Sequence, residues 1–218
     1  MEGKKYKTQI LPDTKGKVEF FVKVVVVGDC EVGKTALLKR LTKNEFITEY
    51  TPTKGYEFNI MLIKVNNIVI KFQIWDMCGD DNYRTSLLNL YRNANLGILV
   101  YSVTSRQSFN NLEDWIKKLR GKAPITSIIL IGNKSDDKDK REVTYEEGKE
   151  IAERYNLEYF AEVSAKEELK SPNFMEIGAI SLYKEYENGS NDISAGFTQS
   201  IMLDPKEFFK SNKKDCCL

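Results

Sequence analysis

Short apolar, β-branched runs alternate along the chain with segments whose apolar residues recur at helical spacing. Strands separated by helices are typical of a parallel sheet with helices on both of its faces. The polar pair at 66–67 joins two of the runs and indicates a tight hairpin, so we expect a mixed, mostly parallel sheet of six strands. The pattern predicts strands over 21–27, 56–66, 69–75, 97–103, 127–132 and 158–163, and helices near 34–42, 84–92, 107–120, 144–155 and 171–187.

Both ends of the chain depart from this pattern. Residues 1–17 are polar and are expected to form a flexible extension, while residues 18–187 should form one domain. Residues 188–218 contain Gly, Ser and Asn breakers and are expected to be a linker. Its apolar islands, FTQSIML and FF, either dock on the domain or a partner or are simply part of the linker. The N-terminus lacks the apolar core of a signal peptide, and the longest apolar runs are too short to span a bilayer.

Composition excludes several kinds of site. The formal net charge of +1 gives no support for nucleic-acid binding through a basic surface, so no nucleic-acid partner is expected. The sequence contains no histidine, which excludes His-based triads, His metal sites and a His general base. The cysteines form neither a disulfide framework nor a zinc spacing, which fits a reducing compartment. They are Cys30, Cys78, Cys216 and Cys217.

The segment GDCEVGKT, Gly28 to Thr35, follows the first of these strands and leads into a helix. It matches the phosphate-loop pattern G-x-x-x-x-G-K-[ST], in which backbone N–H groups and the helix N-terminus bind phosphate. Lys34 would reach the β- and γ-phosphates, and the Thr35 hydroxyl would bind Mg²⁺. The Glu31 side chain is expected to face solvent, because a carboxylate beside phosphates is unfavourable. The alternative is an ordinary loop, which the correct flanks disfavour. The nucleotide-binding cradle would comprise Glu31, Val32, Gly33, Lys34, Thr35 and Ala36.

Three carboxylates crowd the segment QIWDMCGDD, which ends a predicted strand. Asp76 stands at the strand end, where an acid completes the phosphate–magnesium site of a phosphate-loop protein. It is therefore expected to hold Mg²⁺ through a water. Gly79 would give a backbone N–H to the γ-phosphate, since a side chain there would obstruct close approach.

Five motifs occur in a fixed order, namely GDCEVGKT, TPTKGYEF, WDMCGDD, NKSD and VSAK. Their order and spacing over about residues 20–185 resemble those of Ras-superfamily small GTPases. Within that superfamily the chain is most similar to the Rab family. KFQIWDMCGDDNYRT resembles the Rab run KLQIWDTAGQERFRT, and VYSVTSRQSFNNLEDW is similar to VYDVTDQESFNNVKQW. The resemblance implies the three-layer α/β fold of the P-loop GTPases, with GTP or GDP and Mg²⁺ at the carboxyl ends of the strands.

The resemblance also assigns the base pocket. NKSD alone fits an ordinary Asn/Asp turn, but in the family its aspartate, here Asp136, accepts two hydrogen bonds from guanine. Asn133 would tie the base loop to the phosphate loop, and the Lys134 stem would cover one face of the base. Phe46 would pack near the base edge. The family turn whose backbone N–H groups contact the guanine carbonyl corresponds to Ser164, Ala165 and Lys166.

Two switch segments follow from the resemblance. Thr53 resembles the first-switch threonine, whose hydroxyl binds Mg²⁺ and whose N–H touches the γ-phosphate, so the metal ligands would be Thr35, Thr53 and Asp76. Asp80 departs from the family, which has Gln at this position to orient the attacking water. A carboxylate cannot donate an amide hydrogen bond and adds negative charge, so weak intrinsic hydrolysis is predicted. The catalytic groups would be Lys34, Thr53, Gly79 and Asp80.

Two functional hypotheses remain from the sequence. One is a cycling Rab-like GTPase that regulates vesicle trafficking; the other is a mainly GTP-loaded membrane-recruitment module with little hydrolysis. The implied partners are a guanine nucleotide exchange factor, a GTPase-activating protein, effectors, an escort protein and a GDP-dissociation inhibitor. The implied effector patch comprises Phe58, Trp75 and Leu90, which as an alternative are ordinary core residues.

The C-terminal CCL resembles a Rab double-cysteine prenylation end. A four-residue C-a-a-X box would need cysteine at position 215, where Asp215 stands. Two prenyl groups on Cys216 and Cys217 would hold a cytoplasmic protein on the cytosolic face of intracellular membranes. Idle cysteines on a frayed tail are the alternative.

Overall fold

The computed structural model of the chain has a single mixed sheet in its described part, with strand order β1-β3-β4-β2-β5-β6-β7. Strand β3 runs antiparallel to both of its neighbours, and the other pairings are parallel. The predicted hairpin is confirmed, because β3 and β4 pair antiparallel across the turn at Asn66, whose φ is 53°. The structure describes residues 5–12, 17–46, 48, 51–53, 55–79, 91, 93–122, 127–171 and 173–188.

The element bounds follow the predicted pattern closely. The strands are β1 (Thr8–Leu11), β2 (Phe20–Val27), β3 (Tyr56–Val65), β4 (Ile68–Met77), β5 (Leu96–Ser102), β6 (Ser127–Asn133) and β7 (Tyr159–Glu162). The helices in the described residues are α1 (Lys34–Lys43), α2 (Arg106–Asn110), α3 (Leu112–Lys122), α4 (Tyr145–Arg154) and α5 (Phe174–Glu187).

Two helix predictions need correction. The helix predicted over 107–120 is two helices, α2 and α3, separated at Asn111. The last helix begins at Phe174 rather than near 171, because the Asn173 side chain accepts from the backbone N–H groups of Met175 and Glu176 and caps it. The helix predicted near 84–92 lies outside the described residues, apart from Tyr91.

The sheet has seven strands rather than the six predicted. The additional strand, β1, lies within the segment expected to be a flexible extension and pairs antiparallel with the edge of β3 from Leu62 to Val65. It is held from a second side, because the Thr8 hydroxyl donates to Glu176 Oε1 in α5 at 2.7 Å. Four residues of weak pattern thus form a strand through tertiary contacts, which local propensity does not reveal.

The hydrophobic core lies on both faces of the sheet. Successive strand residues alternate between the two faces, as Val24 and Val26 join one cluster and Val25 and Val27 the other. Helices α1 and α5 cover the first face, and α3 and α4 cover the second. The predicted three-layer α/β architecture is therefore confirmed, and the carboxyl ends of the parallel strands meet at one edge. Among the described residues, no helix has the length and apolar character needed to cross a membrane.

Candidate functional site

The loop between β2 and α1 is shaped for close approach by an anion. Gly33 has a φ of 91°, and a side chain there would collide with the Asn133 amide. No side chain in the described part of the chain caps α1, and its first turn contains no acid, so its N-terminal N–H groups and partial positive charge face the loop. Glu31 also has a positive φ, 63°, and it is exposed to solvent, as expected.

Lys34 is buried, with 6% of its surface exposed. Its ammonium donates to Gly28 O at 3.0 Å and to Asp29 O at 2.7 Å, so it lies along the inside of the loop. Burial lowers the pKa of Lys34, and the nearby Asp76 carboxylate opposes that shift. A buried cation held by backbone carbonyls is suited to meet phosphate charge.

Asp29 turns its carboxylate away from the inside of the loop. Its oxygens accept from Asn111 Nδ2 at 2.7 Å and from Trp115 Nε1 at 2.8 Å. These contacts tie the loop to α3 and to the residue that precedes it. This role of Asp29 was not predictable from the sequence, because Asp29 occupies a variable position of the motif.

The three predicted metal ligands meet at one point. Thr35 Oγ1 lies 2.7 Å from Thr53 Oγ1 and donates to Asp76 Oδ2 at 2.5 Å. Asp76 is fully buried, and its Oδ1 has no hydrogen-bond partner among the residues that the structure describes. An orphaned carboxylate oxygen beside two hydroxyls fits Mg²⁺, which takes oxygen ligands and keeps places for phosphate and water.

The charge of Asp76 is sensitive to its surroundings. Burial raises its pKa to about 6, although the Thr35 hydrogen bond and the Lys34 ammonium pull in the opposite direction. Gly79, two residues after the end of β4, packs so closely against the backbone of Asp29 and Cys30 that a side chain at Gly79 would collide with them. The segment after β4 therefore lies directly against the phosphate loop.

Asn133 links the base loop to two other segments. It is 1% exposed, its Nδ2 donates to Val32 O at 2.9 Å, and its Oδ1 accepts from Ala165 N at 3.1 Å. The single amide thus joins the end of β6, the phosphate loop and the turn after β7.

Asp136 is held by the turn after β7. The Ser164 hydroxyl donates to its Oδ1 at 2.6 Å, and the Lys166 ammonium lies 2.9 Å from its Oδ2. Burial alone would raise the pKa of Asp136, but the Ser164 hydrogen bond and the Lys166 charge outweigh it and lower the pKa. The carboxylate is therefore an oriented, ionised acceptor.

One cavity of about 710 Å³ connects these groups. It is large enough for a ligand of nucleotide size. Segments far apart in sequence line it: the phosphate loop with the start of α1, residues 46, 48 and 51–53, residues 78–79, and the loops after β6 and β7. Phe46, Lys134 and Ala36 line it as predicted, whereas Val32 lies in the core and contributes its backbone oxygen to Asn133.

The predicted effector patch is only partly on the surface. Trp75 is 2% exposed and lies in the core, which corrects the expectation that its ring is available to a partner. Phe58 and Tyr56 are half-buried and pack against it, with ring centroids 5.1 and 5.2 Å away. The remaining predicted site residues lie outside the described residues; they are Asp80, Leu90, Cys216 and Cys217.

Sequence reasoning missed Arg40, in the last turn of α1. Its guanidinium donates to the backbone oxygens of Ala165 and Lys166 at 2.9 and 3.1 Å. No motif marks this arginine, since its partners are more than a hundred positions away. Lys39, which lines the cavity, was also not predicted from the sequence.

Comparison with known proteins gives consistent matches over most of the chain. The profile described as Ras family matches residues 23–180. Ras-related protein Rab-11B of Dictyostelium discoideum is 37% identical over 213 residues, which cover 91% of this chain and 96% of that protein. Ras-related protein RABA1g of Arabidopsis thaliana is 38% identical over 206 residues, covering 91% and 94%. Ras-related protein RABA4c of Arabidopsis thaliana is 43% identical over 150 residues, covering 68% and 67%.

Proposed function

We propose a function from one premise: this chain belongs to the Ras family of small GTPases and is similar to Rab proteins. Proteins of this family bind GTP or GDP with Mg²⁺ and hydrolyse GTP. The present chain acts as a Rab-like, membrane-attached switch that exchanges GDP for GTP, hydrolyses GTP slowly and recruits effectors in vesicle trafficking.

The observation that carries this proposal is the convergence of three kinds of group in one cavity. Lys34 and the N-terminus of α1 supply positive charge at one end. Thr35 and Thr53 line the same cavity, in contact with each other and, through Thr35, with Asp76. Asp136 lines it as an oriented carboxylate. A phosphate ester with a divalent ion and a base that offers two donors uses all of these groups.

Asp136 accounts for the choice of base. An ionised carboxylate only accepts hydrogen bonds, and guanine presents two adjacent donors, its N1–H and its exocyclic amine. Adenine has a ring acceptor beside its amine, so that acceptor would face a carboxylate oxygen and repel it. Sites built on such pairing discriminate by about 10⁴–10⁵. Ser164 and Lys166 fix the carboxylate in position and keep it ionised.

The phosphate end combines a cation with a metal site. Lys34 and the N–H groups of the loop bind and orient the phosphate chain. Thr35, Thr53 and Asp76 would hold Mg²⁺, which when bound neutralises charge on the phosphates. Gly79 packs against the loop so closely that a side chain there would collide with the loop backbone; its backbone N–H would bind the terminal phosphate.

Asp80 accounts for slow hydrolysis. Water must attack the γ-phosphate in line, and the family's Gln orients that water with an amide. The side chain of Asp80 is shorter than that of Gln. Its carboxylate accepts a hydrogen bond from the water but donates none, and it adds negative charge near the γ-phosphate, whose own negative charge increases in the transition state. A GTPase-activating protein can supply catalytic groups in trans, so cycling is retained. The same substitution favours the second candidate, a mainly GTP-loaded recruitment module.

The nucleotide carried in the cell distinguishes these candidates. Protein purified rapidly from its native cell should release guanine nucleotide on denaturation, which chromatography identifies and quantifies. Mostly GDP supports a cycling switch, and mostly GTP supports the loaded module. Recovery of adenine nucleotide would contradict the proposed base pocket.

The C-terminus supplies the membrane attachment in this proposal. Prenyl groups on Cys216 and Cys217 would place the protein on the cytosolic face of intracellular membranes, since two lipid chains anchor stably where one holds only marginally. The escort protein and the GDP-dissociation inhibitor are the partners that such lipids require. Mass spectrometry of the terminal peptide from native protein tests this, and an unmodified CCL peptide would contradict it.

A further inference from the structure

The Arg40 guanidinium bridges α1 and the turn after β7. On the helix side, Nη1 donates to the backbone oxygen of Asn44 at 2.9 Å and to its Oδ1 at 3.0 Å. On the other side, Nε donates to Ala165 O at 2.9 Å and Nη2 to Lys166 O at 3.1 Å. A planar group with donors on several edges is thus fixed by its own helix while it holds two successive carbonyls.

The turn held by Arg40 is the one that supports the base pocket. Its Ala165 N–H donates to Asn133 Oδ1 at 3.1 Å, and its Ser164 hydroxyl donates to Asp136 Oδ1 at 2.6 Å. The turn is therefore held by Arg40 through its carbonyls and by the base loop through its other polar groups.

Helix α1 carries both ends of this arrangement. Lys34, beside the phosphate loop, is its first residue, and Arg40 is in its last turn. Six residues of α-helix span about 9 Å. A single helix therefore sets the distance between the phosphate end and the base end of the cavity.

We propose that Arg40 is a positioning residue for the base: through the carbonyls of Ala165 and Lys166 it holds the turn whose Ser164 hydroxyl orients the Asp136 carboxylate. This inference rests on the proposed function, because it assigns Arg40 a role in that site. Without Arg40 the turn loses its connection to α1, and the bound base dissociates faster.

Nucleotide dissociation tests this role in the full-length protein. Wild type, Arg40→Ala and Arg40→Lys are loaded with GDP labelled on the ribose, and its release is followed in magnesium buffer with excess unlabelled GDP. Loss of charge-assisted hydrogen bonds should accelerate release from Arg40→Ala by about tenfold or more. Arg40→Lys keeps the charge but reaches fewer acceptors, so its release rate should be intermediate. Lys43→Ala removes a neighbouring charge from the same helix turn and should change the rate less than about twofold.

A base with one donor fewer separates positioning from general stabilisation. The same measurement uses ribose-labelled inosine diphosphate, which keeps the carbonyl and the N1–H but lacks the exocyclic amine. If Arg40 acts through the orientation of Asp136, Arg40→Ala should accelerate release of this analogue less than release of GDP, because one of the two hydrogen bonds that depend on that orientation is already absent. Equal acceleration with both nucleotides would overturn the inference, because Arg40 would then only stabilise the fold.

The remaining outcomes are also decisive. If Arg40→Ala does not fold, Arg40→Lys carries the same comparison between the two bases. If wild type retains GDP and neither variant releases GDP faster than wild type, this inference is overturned and the proposed function is not affected. Wild type that is folded and binds no guanine nucleotide overturns both.

Discussion

A carboxylate at position 80 sets the rate of GTP hydrolysis in this account. We predict that Asp80→Gln raises the single-turnover rate at least about tenfold, because one donor to a developing oxyanion is worth about 10²–10³ in rate. The rate is measured as inorganic phosphate released from protein preloaded with GTP, without an activating protein. Asp80 lies outside the described residues, and the prediction rests on the resemblance of WDMCGDD to the family motif.

The neighbouring acid provides a matched control for this measurement. Asp81→Asn removes the same charge one position further on and should leave the rate within about twofold, since orienting the attacking water is assigned to position 80 and not to position 81. A wild-type rate equal to or above that of Asp80→Gln would show that the carboxylate does not slow hydrolysis.

Individual site residues were predictable from sequence only where a contiguous motif contains them. Lys34, Asp76 and Asp136 each belong to such a motif, and the structure places their segments together at one edge of the sheet. Arg40 and Asp29 were not predictable, because their partners lie in distant segments. Their contacts depend on how α1 and α3 pack against the sheet, which no local pattern specifies.

At the scale of elements, one part-buried hydrogen bond ties β1 to α5, in addition to the backbone pairing of β1 with β3. Glu176 is 2% exposed, and its Oε1 accepts from Thr8 at 2.7 Å and from Ser171 at 3.0 Å. We predict that Thr8→Val lowers the free energy of unfolding by about 1.5–3 kcal/mol, since a hydrogen bond to a charged group is lost. Because valine favours strands, strand propensity cannot account for a loss of stability in this variant. Urea unfolding gives the value.

Thr8→Ser keeps the hydroxyl and is the matched control. It should remain closer to wild type than Thr8→Val, because the bond to Glu176 can still form. An unchanged urea midpoint for Thr8→Val would indicate that the β1–β3 backbone pairing alone holds the strand.

The junction of α2 and α4 gives a pH-dependent contribution to stability. Arg106 lies 2.5 Å from Glu147, and this interaction, helped by the Thr144 N–H, lowers the pKa of Glu147 to about 2 from 4.5. A lowered pKa means that the contribution is present above pH 4.5 and is lost as the pH falls towards 2. We predict that Glu147→Gln is less stable than wild type at neutral pH and that the difference shrinks through this range.

Urea unfolding at a series of pH values checks this dependence. Glu150→Gln on the same helix is the control, because Glu150 forms an exposed pair with Arg154 that should contribute little. A Glu147→Gln difference that is constant from neutral to acid pH would contradict the predicted linkage.

The pattern of apolar residues predicted the central strands and the helix layers, but it missed the edge strand β1 and the break between α2 and α3. Alternation of buried strands and helices predicted a mostly parallel sheet with helices on both faces, since crossover connections are strongly restricted. Strand β1 was missed because an edge pairing depends on which surface remains open. The break at Asn111 was missed because helical periodicity continues across it.

At the scale of the whole molecule, the central claim is that one cavity binds a guanine nucleotide and that Asp136 reads its base. Asp136→Asn tests it, because an amide can donate to the carbonyl that xanthine carries in place of the guanine amine. The matched substitution Asp137→Asn alters the next acid, which also lines the cavity and which no part of the account assigns to the base.

Calorimetric titration of nucleotide-free, folded protein in magnesium buffer is the most direct measurement. Wild type and Asp137→Asn should bind GDP with about 10⁴-fold or greater preference over ADP, and Asp136→Asn should bind xanthosine diphosphate more tightly than GDP. Absence of heat with GDP in wild type, or unchanged GDP affinity in Asp136→Asn, would contradict the account.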